Sequence, residues 1–195
     1  MLLSILIPTV EERKKQFLSL VNYIISIYTG LDVEIIHLCD NKEMSIGEKR
    51  NRLYNMANGL YAWQIDDDDS ISQNSIHQIL QAIQSGADCI TFKEHCTING
   101  IEKRSNISLQ YKDWEGEGHH LLHDGFHYHR TPFFKTPIKT EICRQIPVAD
   151  IRYGEDHDFA RRVKPLLKAE QYINEFIYLY YHNSSPHNQR YGIVL

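Results

Sequence analysis

The residues best suited to chemistry are four consecutive aspartates, Asp66 to Asp69, which follow Tyr61-Ala62-Trp63-Gln64-Ile65. A β-prone, mostly apolar run ending in carboxylates reads as a buried strand that delivers its acids to one edge of a sheet. Adjacent like charges repel, so such a cluster usually persists because something positive sits among it, most often a divalent cation with oxygen ligands. The plainer alternative is a solvated acidic turn, or a capping run for the helix after Ser70. Glu155 and Asp156 follow Gly154 at a second helix start, where acids also favour the helix dipole. Asp40 closes another strand-like run. Lys49 and Arg50 lie near the start of a basic helix, where they either meet a phosphate or form a solvated face. Five histidines (His119, His120, His123, His127 and His129) crowd one glycine- and glutamate-rich stretch. They have neither a helical H-x-x-x-H pair nor cysteine partners, so they fit zinc poorly and suit a ligand-facing loop better than an independent metal site. Trp114, Tyr128, Phe133 and Phe134 nearby could stack on a ring-shaped ligand, with core packing as the default.

The elements that must position these groups alternate. Leu3 to Ile7 is a strand stopping at Pro8-Thr9, and Glu11 to Tyr28 is helical by its apolar spacing, ended by Gly30. Val33 to Leu38 is a second strand, Ser45 to Asn58 a second helix closed by Gly59, and the aspartate strand is the third. A helix over 74–85 and a strand over 87–92 follow. This rhythm predicts right-handed crossovers and a mainly parallel sheet flanked by helices, whose ligands bind at the carboxyl ends of the strands. Pro8-Thr9, Asp40 and Asp66 to Asp69 all fall at those ends and converge on one rim. Beyond Phe92 the pattern loosens: a hairpin turning at Asn99-Gly100, loops, a short helix over 141–145, a helix over 158–167 opened by Tyr153-Gly154-Glu155-Asp156, and a last strand over 173–181 before a polar tail through Ser184-Ser185.

At 195 residues the chain suits one domain with a real core. A net charge of −4 does not indicate nucleic-acid binding, which normally brings a basic excess. No apolar run reaches the ~20 residues of a membrane span. Met1 to Pro8 lacks the basic start of a signal peptide and reads as a strand. Cys39, Cys89, Cys96 and Cys143 are scattered without CxxC spacing, which points to reduced thiols and a cytoplasmic setting.

Four segments, in order, resemble family 2 glycosyltransferases of the GT-A (nucleotide-diphospho-sugar transferase) fold. They are Ser4-Ile5-Leu6-Ile7-Pro8-Thr9; Ile46-Gly47-Glu48-Lys49-Arg50-Asn51 with Ala57-Asn58-Gly59-Leu60-Tyr61, similar to G-x-x-R-N…A-x-G-x-Y; Ile65-Asp66-Asp67-Asp68-Asp69, similar to the DxD motif; and Gly154-Glu155-Asp156. The resemblance implies one GT-A domain over 1–195, with a nucleotide-binding half (1–92) and an acceptor-side half (93–195). It also implies a metal-dependent, inverting transfer of sugar from a UDP- or GDP-linked donor to a hydroxyl of a glycan, lipid, protein or other acceptor. Pro8, Thr9 and Glu11 would lie near base and ribose, Asp40 on the base, and Asp66 and Asp67 on ribose or sugar hydroxyls. Asp68 would ligate Mn²⁺ or Mg²⁺, with Asp66 as the motif's other metal-side acid and His182 closing over metal and diphosphate. Asp156 would be the catalytic base.

The sequence departs from the family in two places. Asp67 fills the variable position of the motif, which blurs which carboxylate meets metal, and Asp158-Phe159-Ala160-Arg161-Arg162 stands where Q-x-x-R-W is common. One rival is a metal-dependent nucleotidyltransferase, which would normally carry a glycine- and lysine-rich phosphate loop where Thr9-Val10-Glu11-Glu12-Arg13 stands. The other is a non-catalytic module that binds a nucleotide-sugar or a divalent cation and has no use for a base at Asp156.

Overall fold

The computed structural model describes residues 1–151 and 154–183. Its organising strand is β1 (Leu3–Val10), buried at seven consecutive positions. Side chains alternate faces along a strand, so unbroken burial means both faces are covered. A 3-10 turn (Glu11–Arg13) and α1 (Lys14–Ile27) lead to β2 (Val33–Asp40), which pairs parallel to β1 from Leu3↔Val33 to Val10↔Asp40. Next comes α2 (Ile46–Met56), capped by the Ser45 hydroxyl, which accepts from the Glu48 N–H at 3.1 Å. β3 (Tyr61–Gln64) pairs parallel on the other side of β1, and the Ile65 N–H extends that pairing to the Leu6 carbonyl at 3.0 Å. The three strands therefore release their chains at a common rim, as the alternating pattern predicts.

The remaining elements are β4 (Ser70–Ile71), α3 (Ser75–Ile83), β5 (Cys89–Ile98), β6 (Ile101–Ile107), β7 (Tyr128–Arg130), β8 (Ile138–Lys139), α4 (Thr140–Cys143), α5 (Glu155–Val163) and β9 (Glu170–His182). The sheet runs β2-β1-β3-β8-β5-β6-β7, and β9 pairs with both β5 and β4. It is more mixed than the expected mainly parallel sheet. β8 lies antiparallel between β3 and β5, and β6 returns antiparallel along β5. At two residues, β8 is too short to carry a period. β5 outruns its expected end at Phe92 because Glu94 and Cys96 face inward, so the buried side continues through polar-looking sequence. The hairpin turns where expected, with Asn99 and Gly100 both at positive φ, 52° and 78°. Tyr153 and the Ser184-Ser185 tail lie outside the described residues.

Trp63 fixes the centre. It is fully buried, meets Phe92 and Tyr178 edge-on, and donates its indole N–H to the Lys135 carbonyl at 2.7 Å. Cys89, Cys96 and Cys143 are buried free thiols, and Cys39 is a partly exposed one. None of the described helices is long and apolar enough to cross a membrane.

Candidate active site

The aspartate run divides into three engaged carboxylates and one open one. Asp66 meets Arg50 at 2.8 Å. Arg50 also donates to the Gln64 side chain at 2.9 Å and lies 3.7 Å over the Phe134 ring. Burial opposes ionisation of Asp66, but Arg50 and Lys135 outweigh it and hold the carboxyl below the usual range. Asp67 accepts from the Thr9 hydroxyl at 2.6 Å and from Arg13 at 2.8 Å, with its side chain 3% exposed. Asp69 accepts from the Tyr178 hydroxyl at 2.7 Å and the Tyr181 N–H at 2.9 Å, and its oxygen is 3.1 Å from the Lys135 ammonium. Asp68 alone keeps a largely open side chain, 46% exposed, with Arg13 at 3.0 Å. Desolvation in the cleft, offset only in part by Arg13 and reinforced by Asp66 and Asp67, raises its pKa.

Asp69 is a latch. Its two acceptor bonds tie the acidic turn to the end of β9, and β4 pairs antiparallel with the same strand through Ser70↔Leu179 and Ile71↔Tyr178. The Tyr178 hydroxyl also accepts from the Asp66 N–H at 3.2 Å. Burial pushes the Asp69 carboxyl up to about 7, with Lys135 opposing and Asp66 and Asp68 adding to the rise. Burial opposes the charge of Lys135 too, but Asp69 and Glu94 hold its pKa above the ordinary lysine range. Its ammonium is 3.6 Å from Glu94 and 3.6 Å from the centre of the Tyr180 ring.

Two adjoining cavities follow the rim. One, about 230 Å³, is lined by Pro8, Thr9, Glu12, Arg13, Lys42 and Lys49 among others. The second, about 340 Å³, is lined by Arg50, Asp66, Asp67, Asp68, Tyr180, Tyr181 and His182. Both share Pro8, Arg13, Ile46 and Asp67. Lys49 is buried, donates to the Thr9 carbonyl at 2.5 Å and pairs with Asp40, whose other oxygen accepts from the Met44 N–H at 2.6 Å. Asp40 thus braces the loop beneath Lys49 and lines neither cavity. Burial opposes its ionisation, but Lys49 and the Met44 N–H lower its pKa. Glu11 also lines neither cavity. It accepts from the Cys39 thiol at 3.5 Å, while its neighbour Glu12 faces the first cavity.

The Gly47…Asn51 segment of α2 holds the chain at Val148 and Ala149. A Cβ on Gly47 would stand 2.4 Å from the Ala149 carbonyl, so only glycine admits that strand of chain. The Asn51 side chain takes both backbone groups of Val148, donating at 3.0 Å and accepting at 2.7 Å. These contacts dock the chain that leads to α5. Gly154 precedes that helix at φ 82°. Asp156 is half-buried and accepts from the His157 N–H at 2.8 Å, and its charge acts on Arg130. Burial raises the pKa of Glu155, with Asp156 and Asp66 adding to the shift and Arg50 opposing it. Glu155, at the start of α5, therefore feels the charges of Asp66 and Arg50, while Asp156 lines neither cavity. Around it, Trp114 stacks on His157 at 4.9 Å and carries Arg130 at 4.7 Å, and His157 meets Asp113 at 2.6 Å. His129 is enclosed between Glu115 and Asp124 at 3.2 and 2.9 Å. No group of three metal-ligating side chains forms among the described residues.

Arg13 and Lys135 escaped the sequence reading. The signal for Lys135 was a lone lysine in the aromatic stretch Phe133-Phe134-Lys135-Thr136-Pro137, where a buried charge needs carboxylate partners. For Arg13 it was a base just past the first strand's rim.

No protein-family model matches the sequence, and no curated protein matches it either. Among solved structures, Staphylococcus aureus TarS residues 1–349 in complex with UDP-GlcNAc matches at TM-score 0.73 and 15% identity, covering 99% of this chain and 62% of that one. The same fragment with UDP matches at TM-score 0.68 and 16% identity, covering 97% and 62%. The bifunctional IspDF from Campylobacter jejuni matches at TM-score 0.50 and 12% identity, covering 90% and 50%. At these identities the likeness shows the fold, which is GT-A-like with a mixed sheet. This chain spans about three fifths of the length of the TarS fragment it matches.

Proposed function

We propose that this chain is a metal-dependent, inverting glycosyltransferase that moves a sugar from a nucleotide-diphosphate donor to an acceptor hydroxyl. The observation that carries the reading is the pair of adjoining cavities along the strand rim, divided by Arg13 and Asp67 and floored on one side by Asp66 and Asp68. The first cavity, beside Pro8 and Thr9, suits the nucleoside, and the second suits the diphosphate and sugar. Binding of UDP-GlcNAc by TarS makes UDP-linked sugars the first donors to test, with GDP-linked ones second. In this reading residues 1–92 form the nucleotide-binding half of one domain and 93–195 the acceptor-side half.

Hard cations take one or two carboxylates and complete their shell with phosphate and water. Asp68, open and in the same cavity as His182, fits that demand, with Asp66 beside it on Arg50. A bound Mn²⁺ or Mg²⁺ would neutralise charge on the departing diphosphate. The chain's own residues supply the rest. Arg50 fixes Asp66, Asp69 anchors the turn to β9 and so aligns His182, and Asp156 accepts the proton of the attacking hydroxyl. Attack opposite the leaving group, with one base, inverts the anomeric carbon.

The test is nucleotide release from UDP- and GDP-sugars with Mn²⁺ and simple hydroxyl acceptors. Asp156→Asn should lower turnover by roughly 10²-fold or more while keeping UDP or GDP binding. Pyrophosphate release from nucleoside triphosphates, with no release from nucleotide-sugars, would replace this reading with nucleotidyl transfer.

A further inference from the structure

The two cavities meet at Arg13, and the surrounding charges are unequally available. Arg50, Lys49 and Lys135 have side chains 4%, 4% and 9% exposed, and each is held by a carboxylate, half-buried Asp66 for Arg50 and the buried carboxylates of Asp40 and Asp69 for the lysines. Lys42 stands at the outer edge of the first cavity only, paired with Glu12 at 2.7 Å. Arg13 is 44% exposed and lines both cavities. One nitrogen, Nη1, makes both carboxylate contacts, to Asp67 at 2.8 Å and Asp68 at 3.0 Å. A guanidinium carries five N–H donors in a planar fork, so one shared nitrogen leaves most of the fork for another anion.

The partners differ in what they lose if Arg13 turns away. Asp67 keeps the Thr9 hydroxyl at 2.6 Å. Asp68 loses its cationic neighbour and becomes an open carboxylate facing the second cavity. A divalent cation arriving at Asp68 would repel the guanidinium 3.0 Å from that carboxylate, and the nearest new anion for it would be a phosphate crossing between the cavities.

We propose that Arg13 is a ligand of the donor's diphosphate, held in reserve by Asp67 and Asp68, and that it exchanges places with the cation at Asp68. The inference rests on the nucleotide-sugar reading above and adds a residue and an order to it. The metal alone competes with Arg13, whereas metal and nucleoside diphosphate together satisfy every charge. Removing Arg13 therefore has opposite effects on the two ligands.

The experiment titrates wild type, Arg13→Gln and Arg13→Lys with Mn²⁺ alone, read by electron paramagnetic resonance. UDP and GDP with Mn²⁺, and then uridine and guanosine, follow by calorimetry. Arg13→Gln should bind Mn²⁺ alone about tenfold more tightly and the preferred diphosphate about 10- to 100-fold more weakly, with the nucleoside within about twofold. Arg13→Lys keeps the charge without the fork, so Mn²⁺ alone should bind as in wild type while the diphosphate weakens. Unchanged diphosphate binding in Arg13→Gln, or Mn²⁺ affinity that is unchanged or weaker, would overturn the proposal. So would parallel loss of nucleoside and diphosphate, which marks a structural defect. If wild type binds neither UDP nor GDP, the parent reading itself has failed, a result distinct from a variant that behaves like wild type.

Discussion

Replacing Lys135 with Met removes the one ammonium shared by two buried carboxylates and leaves a chain of similar length in its place. Asp69 is 1% exposed and Glu94 7% at their side chains, so neither recovers hydration when the cation goes. Breaking a buried pair from one side costs about 3–5 kcal/mol, and we expect Lys135→Met to lie in that range at pH 8. The pH dependence follows from Asp69. Its folded pKa of about 7 is above the ~3.9 of an unfolded aspartate, so between those values the folded state holds a proton the unfolded state has released. Stability then falls by about 1.4 kcal/mol per pH unit as pH rises to about 7, and levels off above it. Without Lys135 the carboxyl keeps its proton to higher pH, and the fall continues. The penalty of the substitution should therefore be larger at pH 8 than at pH 6, by about 1 kcal/mol. Urea unfolding followed by tryptophan fluorescence suits the test, because the Trp63 indole is bonded to the Lys135 carbonyl. Adding Asp69→Asn to Lys135→Met should restore part of the loss. A penalty under about 1 kcal/mol at both pH values, or a larger one at pH 6, would refute the buried-pair argument.

Two further outcomes concern α2. Arg50→Lys keeps the charge but loses the fork that spans Asp66 and Gln64 and the planar stack on Phe134, and should cost about 2–3 kcal/mol in thermal or urea unfolding. Asn51→Ala frees both backbone groups of Val148 and should cost about 2 kcal/mol; in turnover assays it should lower the rate more than it weakens nucleotide binding, because it loosens the chain leading to Asp156.

The first half of the fold was legible because β1 and β3 are buried on both faces, β2 is a β-branched apolar run at the sheet edge, and the helices carry apolar stripes, signals that survive in sequence. Asn99-Gly100 declared its hairpin through turn chemistry alone. β8 did not declare itself, since two residues hold no period and its place is set by its partners, Tyr61 and Ala62 on one side and Cys89 on the other. Within the site, the acidic run announced a charged rim but not its division of labour. Which carboxylate stays open depends on partners far along the chain: Arg50 for Asp66, Thr9 for Asp67, Lys135 and Tyr178 for Asp69. Asp40 and Glu11 sat at the expected strand end yet turn to Lys49 and Cys39, because a rim position fixes where a Cα lies and not which neighbour claims the side chain.

The most direct test of the account is calorimetric titration of UDP and GDP in the presence of Mn²⁺, repeated with chelator, on wild type, Asp68→Ala and Asp156→Ala. One nucleotide should bind only with the metal, lose that binding in Asp68→Ala and keep it in Asp156→Ala. Absence of metal-dependent binding of either nucleotide by wild type would contradict the proposed function and return the acidic run to the role of a structural turn.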